Sequence, residues 1–332
     1  MIAEHLGALS ARHRTRHFYF SQDSVAPKTL VKLAERIAAA GLDLAWGTDL
    51  KPEKYLTAER AEVLRRAGAV ACALGVESAA PRVLELIDKG APIEVVGDVV
   101  DRLAAAGIAP EAMCFTEFPT ETRDEALATV RWIEARRDRL GLFILGEFGL
   151  THGALVAQRP AEFGLAETWQ VEGDELGLGL FFAETRPAKT ARDRAAIDRA
   201  LDRVGGRFRL RSYPWAGAVS TAHTLLYYAR LGRTAFHREA PAPTPWSDAA
   251  REAPLAYDVD ALAAAEARDA EIWSTLIHDR RAVSRAAYDE LAAAQPRATP
   301  RPARYRFAAG ADPARLTGRR RSAAPNRLRD RS

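Results

Sequence analysis

The sequence predicts an α/β fold built on parallel strands, a barrel or partial barrel in preference to an open sheet. Three observations predict it. Five short apolar runs recur through the first 150 residues, amphipathic helical patterns separate them, and glycine or proline marks most junctions. Strand, helix, strand at intervals of roughly 25–40 residues is the pattern of βαβ units. The runs follow one another without an obvious reversal, which favours closure over a doubly wound sheet.

The strands are Phe18–Phe20, Leu42–Trp46, Val70–Val76, Ala112–Phe118 and Leu142–Phe148. Pro27 opens the first intervening helix, whose apolar stripe is Leu30, Leu33 and Ile37, and Gly41 stops it. Thr57 caps the next, which ends at Gly68. Pro81 to Lys89 carries Val83, Leu84 and Ile87 and ends at Gly90. Pro92 to Ala106 carries Val95, Val96, Val99 and Leu103, with Gly107 at the C′ position. Glu121 to Leu140 carries Leu127, Val130 and Ile133. Ahead of the first strand, Ile2, Leu6 and Leu9 make one apolar helix face.

Beyond Phe148 the rhythm changes. Residues 151–190 read as loops and short strands, then helices over Thr190–Val204 and Thr221–Arg230, the latter capped by Ser220 and stopped by Gly232. A Pro-rich linker, Ala240–Trp246, precedes helices across Val259–Ala294. The expected organisation is a partial β/α barrel over 1–165, an α+β extension over 166–239, a mainly helical C-terminal region over 240–296, and an Arg-rich tail over 297–332.

The 332-residue chain carries a net charge of +4, but its basicity is local. Arg297 to Ser332 holds eleven arginines against Asp312 and Asp330, a net of +9, so residues 1–296 net to −5. That tail has almost no apolar periodicity and reads as disordered. The tail holds only two aromatic residues for base stacking, Tyr305 and Phe307, and a nucleic-acid partner is not expected despite the charge. No apolar run approaches the roughly 20 residues of a membrane span, and the N-terminus lacks the features of a secretory signal. The expectation is a soluble, cytoplasmic protein with no membrane partner.

In a parallel β/α fold, ligand-binding groups gather at the C-terminal ends of the strands. Read in order, these ends are Ser21-Gln22-Asp23-Ser24, then Thr48-Asp49, Gly75-Val76-Glu77-Ser78, Thr116-Glu117-Phe118-Pro119, and Glu147 with Thr151 and His152 beyond. Glu77 directly follows an apolar strand, which suits a ribose hydroxyl or a ligand amino group; a loop acid beside the turn at Pro81 is the alternative. Gln22 and Asp23 fit a cation or a ligand amine, or serve as caps for the helix at Pro27. Glu117 stands where a turn prefers a small residue. Cys72 and Cys114 sit in strand interiors and read as small core residues, and two thiols ligate neither a structural zinc nor an iron–sulfur cluster. His152 and His223 have no partner at metal-ligand spacing. Tyr213, Trp215, Tyr227 and Tyr228 line a pocket or fill core. Phosphate-loop, Gly-x-Gly-x-x-Gly and Gly-x-Ser-x-Gly motifs are absent.

The order FYFSQDS, Trp46, ALGVESAAPRVLELIDKGAPIE and FTEFPTETRDEAL resembles the barrel of radical S-adenosylmethionine (SAM) enzymes, most closely those that also carry a cobalamin-binding domain. The most specific stretch is Leu74–Lys89, with its Gly-x-Glu-Ser strand end and a helix ending Leu-x-x-Ile-x-Lys-Gly; Phe118–Thr122 resembles the family's Gly-x-Pro-x-Glu-Thr turn. The resemblance covers roughly residues 1–165. It implies a partial (β/α)6 barrel lacking its first strand, in which Glu77 and Ser78 meet the ribose of SAM and Gln22, Asp23 and Glu117 stand nearby. Two departures accompany it: Glu117 replaces the family's Gly, and Gln22-Asp23 its acid pair. The Cys-x3-Cys-x2-Cys ligands of a [4Fe–4S] cluster are absent from this sequence, as is any cobalamin domain. The expected function is therefore the C-terminal part of a truncated or split radical SAM enzyme, with a separate chain carrying the cluster. The alternative is a degenerate, cluster-less barrel acting as a non-catalytic binding or partner subunit. A third reading, an unrelated β/α enzyme using Glu77, Asp23 and His152 in acid–base work, shares fewer of the strand-end matches.

Overall fold

A computed structural model describes residues 2–170, 179–208 and 221–237, with Leu255–Ala256, Glu290, Ala293 and Ala308–Ala309 beyond them. Helix α1 (Ile2–His13) precedes strand β1 (His17–Val25). There follow α2 (Pro27–Ala39), β2 (Ala45–Leu50), α3 (Ala58–Arg66), β3 (Ala69–Glu77), α4 (Pro81–Leu86), α5 (Ile93–Ala105), β4 (Ala109–Thr116), α6 (Arg123–Ala135) and β5 (Leu142–Glu147). The five strands form one parallel sheet in the order β1-β2-β3-β4-β5. Each strand neighbours the next in sequence, so the sheet has no switch point, as the uniform β/α rhythm predicts.

Boundaries follow local chemistry. Pro27 starts α2, and Gly41, Gly68 and Gly107 follow α2, α3 and α5 at φ of 63°, 93° and 81°, the left-handed C′ conformation that glycine adopts without a Cβ penalty. At Gly68 nothing larger fits, because a Cβ would lie 2.0 Å from the Leu44 carbonyl oxygen. Thr57 caps α3 by accepting from the Arg60 amide. Thr122 and Glu125 form a reciprocal capping box on α6, which moves that helix's start past Glu121. Strand β1 extends to Val25 rather than ending at Phe20, with an irregular register between Phe20 and Val25.

One apolar cluster occupies one face of the sheet. Trp46, Leu50, Cys72, Leu74, Val76, Ala112 and Cys114 pack there against Leu30 and Ile37 of α2, Leu64 of α3, Val99 and Leu103 of α5, and Val130 and Ile133 of α6. Right-handed crossovers between sequential neighbours place their helices on one side, which is why a single layer collects the core. Helix α8 (Ala191–Gly205) adds Ile197 and Val204 to this layer. The opposite face is lined by the alternate strand positions and is packed by α9 (Thr221–Leu231), which contacts β1, β2 and β3. Thr224 of α9 donates to the fully buried Glu111 of β4, and Tyr228 packs edge-on against Phe236, ring centroids 5.1 Å apart.

These elements, with residues 187–208 and 221–237, make one compact unit. The second unit includes 149–170 and 179–186. Its described core is an antiparallel sheet in the order β6-β8-β7, formed by β6 (Leu150–Thr151), β7 (Leu165–Trp169) and β8 (Gly179–Glu184), with a short helix, α7 (Leu155–Gln158), and the buried Phe163 and Leu165 beside it. Most of the expected helical region 240–296 and of the tail lies outside the described residues; Ala308–Ala309 pair antiparallel with Leu255–Ala256. Among the described residues, no helix is long and apolar enough to cross a membrane.

Replacing Thr224 with Val keeps the shape but leaves Glu111 buried with one donor fewer. The expected loss is about 1–3 kcal/mol, read as a lower midpoint in urea with an unchanged slope.

Candidate strand-end site

The C-terminal ends of β3 and β4 converge on two glutamates in the same unusual backbone state. Glu77 has φ of 63° and Glu117 has φ of 61°, the left-handed region that costs a non-glycine residue roughly 1–2 kcal/mol. A glycine, which the resemblance leads one to expect at the second position, suits this geometry. Thr120, three residues on, has φ of 67°, less favourable still for a β-branched residue. The ladder between β3 and β4 is also irregular between Gly75 and Glu77, so the strand end is bent where Glu77 leaves it.

Glu77 folds its carboxylate back over Gly75. A Cβ at Gly75 would lie 2.6 Å from Glu77 Oε1 and 2.8 Å from Lys89 Nζ, so the bare glycine makes room for the pair. Lys89 donates to Glu77 Oε1 at 2.9 Å, and the carboxylate side chain keeps 30% of its surface exposed. Gly75 alternates with the core-facing Leu74 and Val76, so the pair sits on the face opposite the helix layer. Ser78 is fully buried. Its hydroxyl shares a hydrogen bond with Thr129 at 3.3 Å and accepts from the Ala80 amide at 3.1 Å, while Thr129 accepts from Ala79 at 2.9 Å. Ser78 thus closes the turn into α4 behind Glu77.

Glu117 belongs to a separate network. Its backbone amide donates to the Glu121 carboxylate at 2.9 Å, and its own carboxylate accepts from Arg194 at 3.0 Å with Lys189 3.7 Å away. Lys189 is itself buried and donates to the Glu121 carbonyl at 2.7 Å and to Glu121 Oε2 at 3.1 Å. Burial pushes the Glu121 carboxyl above its usual range, against the pull of Lys189. Arg82 of α4 completes the clamp on this turn, with Nε and Nη2 on the two Glu125 oxygens at 2.7 and 2.8 Å and Nη2 on the Thr120 carbonyl at 2.7 Å. The hydrogen bond from Arg82 holds the Glu125 carboxyl at about 2. Three aromatic rings, Phe115, Phe118 and Phe148, pack together at the same end, with centroids 4.8–5.9 Å apart.

The structure therefore places Glu77, Ser78 and Glu117 at neighbouring strand ends, with the two carboxylates committed to different cations. The side chains of Gln22 and Asp23 lie outside the described residues, although both positions fall within β1. Asp49 lies on the face opposite the helix layer, where it bonds the Tyr19 hydroxyl; burial and this bond raise the phenol well above its usual range. Glu147 is exposed, and His152 is exposed in the second unit. Tyr213 and Trp215 lie outside the described residues. Sequence reasoning missed Lys89, although it lies inside the quoted Leu74–Lys89 stretch. It also missed Lys189 and Arg194, which approach from 68 and 77 residues away and leave no local signal.

The two thiols do not fit an iron–sulfur cluster. Cys72 and Cys114 are buried on the helix-facing side of different strands, and burial raises both, Cys72 to about 12. Among the described residues, no group of three or more His, Cys, Asp or Glu is placed to hold a metal ion.

No protein-family model matches the chain. An uncharacterized methyltransferase of Pyrococcus horikoshii is 27% identical over 133 residues, which is 40% of this chain and 29% of that protein. The chain thus spans less than a third of the length of the curated relative it matches. Among solved structures it is similar to TsrM from Kitasatospora setae, a radical SAM methyltransferase with cobalamin and a [4Fe–4S] cluster bound, at TM-score 0.46 and 16% identity over 60% of this chain and 44% of that one. It is similar to the cobalamin-dependent SAM radical enzyme OxsB at TM-score 0.48 and 12% identity, covering 68% and 42%. Coproporphyrinogen III oxidase of Escherichia coli, a radical SAM enzyme, follows at TM-score 0.42 and 11% identity, covering 63% and 45%. These three solved structures are all described as SAM radical enzymes, two of them with cobalamin.

Two consequences are measurable. Lys189→Met leaves Glu121 buried without its counter-charge and is expected to cost about 3–5 kcal/mol, most of it regained in a Lys189→Met/Glu121→Leu double variant, as read by urea denaturation. The Glu125 carboxyl is depressed in the folded state, so its contribution is present above the unfolded value near 4.3 and is lost as pH falls toward 2. Arg82→Ala should therefore lose less stability than the parent chain between about pH 5 and pH 3.

Proposed function

We propose that this chain binds S-adenosylmethionine at the C-terminal ends of β3 and β4, as the ligand-holding part of a radical-SAM-type barrel in a methyltransferase. The observation that carries the reading is Glu77: a carboxylate at a strand end, at positive φ, folded over a glycine that a Cβ would block. Strain of this kind at a strand end accompanies functional sites. A carboxylate there accepts from the two ribose hydroxyls or from the ligand's ammonium group, and Ser78 and Thr129 hold the turn behind it. The Leu74–Lys89 resemblance and the partial match to a methyltransferase support the same assignment. When bound, SAM supplies a methyl group activated by its sulfonium.

No reductive step is assigned to this chain, because neither buried thiol fits the cluster that would deliver the electron. In the proposal, that cluster belongs to a separate chain. The same two thiols favour a second reading, in which the barrel binds SAM or a partner without catalysis of its own. No residue of this chain is assigned to cobalamin.

Equilibrium dialysis with SAM tests the assignment. The chain should bind saturably, and Glu77→Gln should weaken binding about tenfold while circular dichroism is unchanged; equal affinities would overturn the role of Glu77. Anaerobic treatment with iron and sulfide should leave the chain without stoichiometric iron, and a full cluster's worth of bound iron would overturn the reading of Cys72 and Cys114.

A further inference from the structure

We propose that the opposite, N-terminal face of the parallel sheet carries a second small-molecule site, for a phosphorylated ligand with an apolar body. A cleft of about 610 Å³ opens among the starts of β1, β2 and β3 and the C-terminal end of α9. Its volume lies in the range of small-molecule sites. Strand-end chemistry at Glu77 and Glu117 is at the other end of the strands, so this cleft is not part of that site.

Four cationic or imidazole side chains converge on it from different elements: Arg16 and His17 at the start of β1, Arg65 in the last turn of α3, and Arg230 in the last turn of α9. Arg16 is engaged by Asp43 at 2.5 Å. Arg65 and Arg230 have no ion-pair partner among the described residues. A helix C-terminus attracts one cation, which accounts for Arg65 or Arg230 taken singly. It does not account for two helix ends and Arg16 meeting around one space. Guanidinium groups present paired donors that match phosphate oxygens. Burial, then Arg16, holds His17 below its usual value, so at neutral pH the ring offers a hydrogen bond without further charge.

The rest of the cleft is apolar or bare. Val70, Tyr228 and Leu226 line it, the last a large side chain left 48% exposed. Gly68 and Gly107, both left-handed, contribute backbone without side chains. A ligand that pairs an anionic group with a ring or alkyl body satisfies both halves at once, and it covers Leu226.

Phenyl phosphate is a suitable probe, because it lacks the adenosyl group that the Glu77 site is proposed to take. Calorimetric titration of the full chain should show saturable binding of phenyl phosphate, tighter than that of inorganic phosphate. Arg65→Ala/Arg230→Ala should weaken phenyl phosphate at least tenfold, with circular dichroism and SAM affinity unchanged. Leu226→Ser should narrow the gap between the two probes without abolishing either. Absence of saturable phenyl phosphate binding, or equal affinity in the double arginine variant, would overturn the site whatever the result at Glu77.

Discussion

Parallel strands joined in sequence by right-handed crossovers send every helix to the same side of the sheet. That constraint organises the rest of the molecule. One face acquires α2, α3, α5, α6 and α8 and a continuous apolar core. The other face receives nothing from its own connections and has to be covered from further along the chain. Helix α9 does this, packing on β1, β2 and β3 and meeting Glu111 with Thr224. A buried carboxylate in such a place is tolerated because a hydroxyl reaches it. The same arrangement collects all C-terminal strand ends on one side and all N-terminal starts on the other, so the two proposed sites are separated by the length of the strands.

At the C-terminal ends, backbone strain and ionic clamps occur together. Glu77, Glu117 and Thr120 all hold positive φ, and each is tied down by a cation from another element: Lys89, Arg194 with Lys189, and Arg82 respectively. A loop free to relax would leave the left-handed region. The buried Lys189–Glu121 pair is costly to desolvate and adds little net stability of its own; its effect is to fix where the turn after β4 sits relative to α8. Strain at Glu77 is stabilised differently, by the small volume of Gly75 and by the Ser78–Thr129 hydrogen bonds behind it. These clamps keep a carboxylate aimed at a defined place, which a ligand-binding role requires and a solvated loop acid does not.

Local chemistry made much of this legible. The helix starts at Pro27, Thr57 and Pro81, and the stops at Gly41, Gly68 and Gly107, rest on neighbours a few residues apart, and each is where the pattern placed it; the five strands fall in the expected order, but β2 runs over Ala45–Leu50 instead of Leu42–Trp46 and β4 over Ala109–Thr116 instead of Ala112–Phe118. The oddity of Glu117 was visible too, because a side chain stood where a turn favours glycine, and φ of 61° is its physical meaning. The extension of β1 to Val25 was not legible, since the polar run from Ser21 to Ser24 carries no strand periodicity and falls where the register with β2 is irregular.

What the sequence determined by itself is thus the α/β rhythm, the parallel order, and the strand ends where Glu77 and Glu117 lie, because turn and capping chemistry acts over short separations. Tertiary structure alone decided which cations meet those carboxylates, which helix covers the second face of the sheet, and where three arginines converge. Each of these joins residues tens of positions apart, and a contact of that kind depends on how elements pack, which no local pattern of residues records.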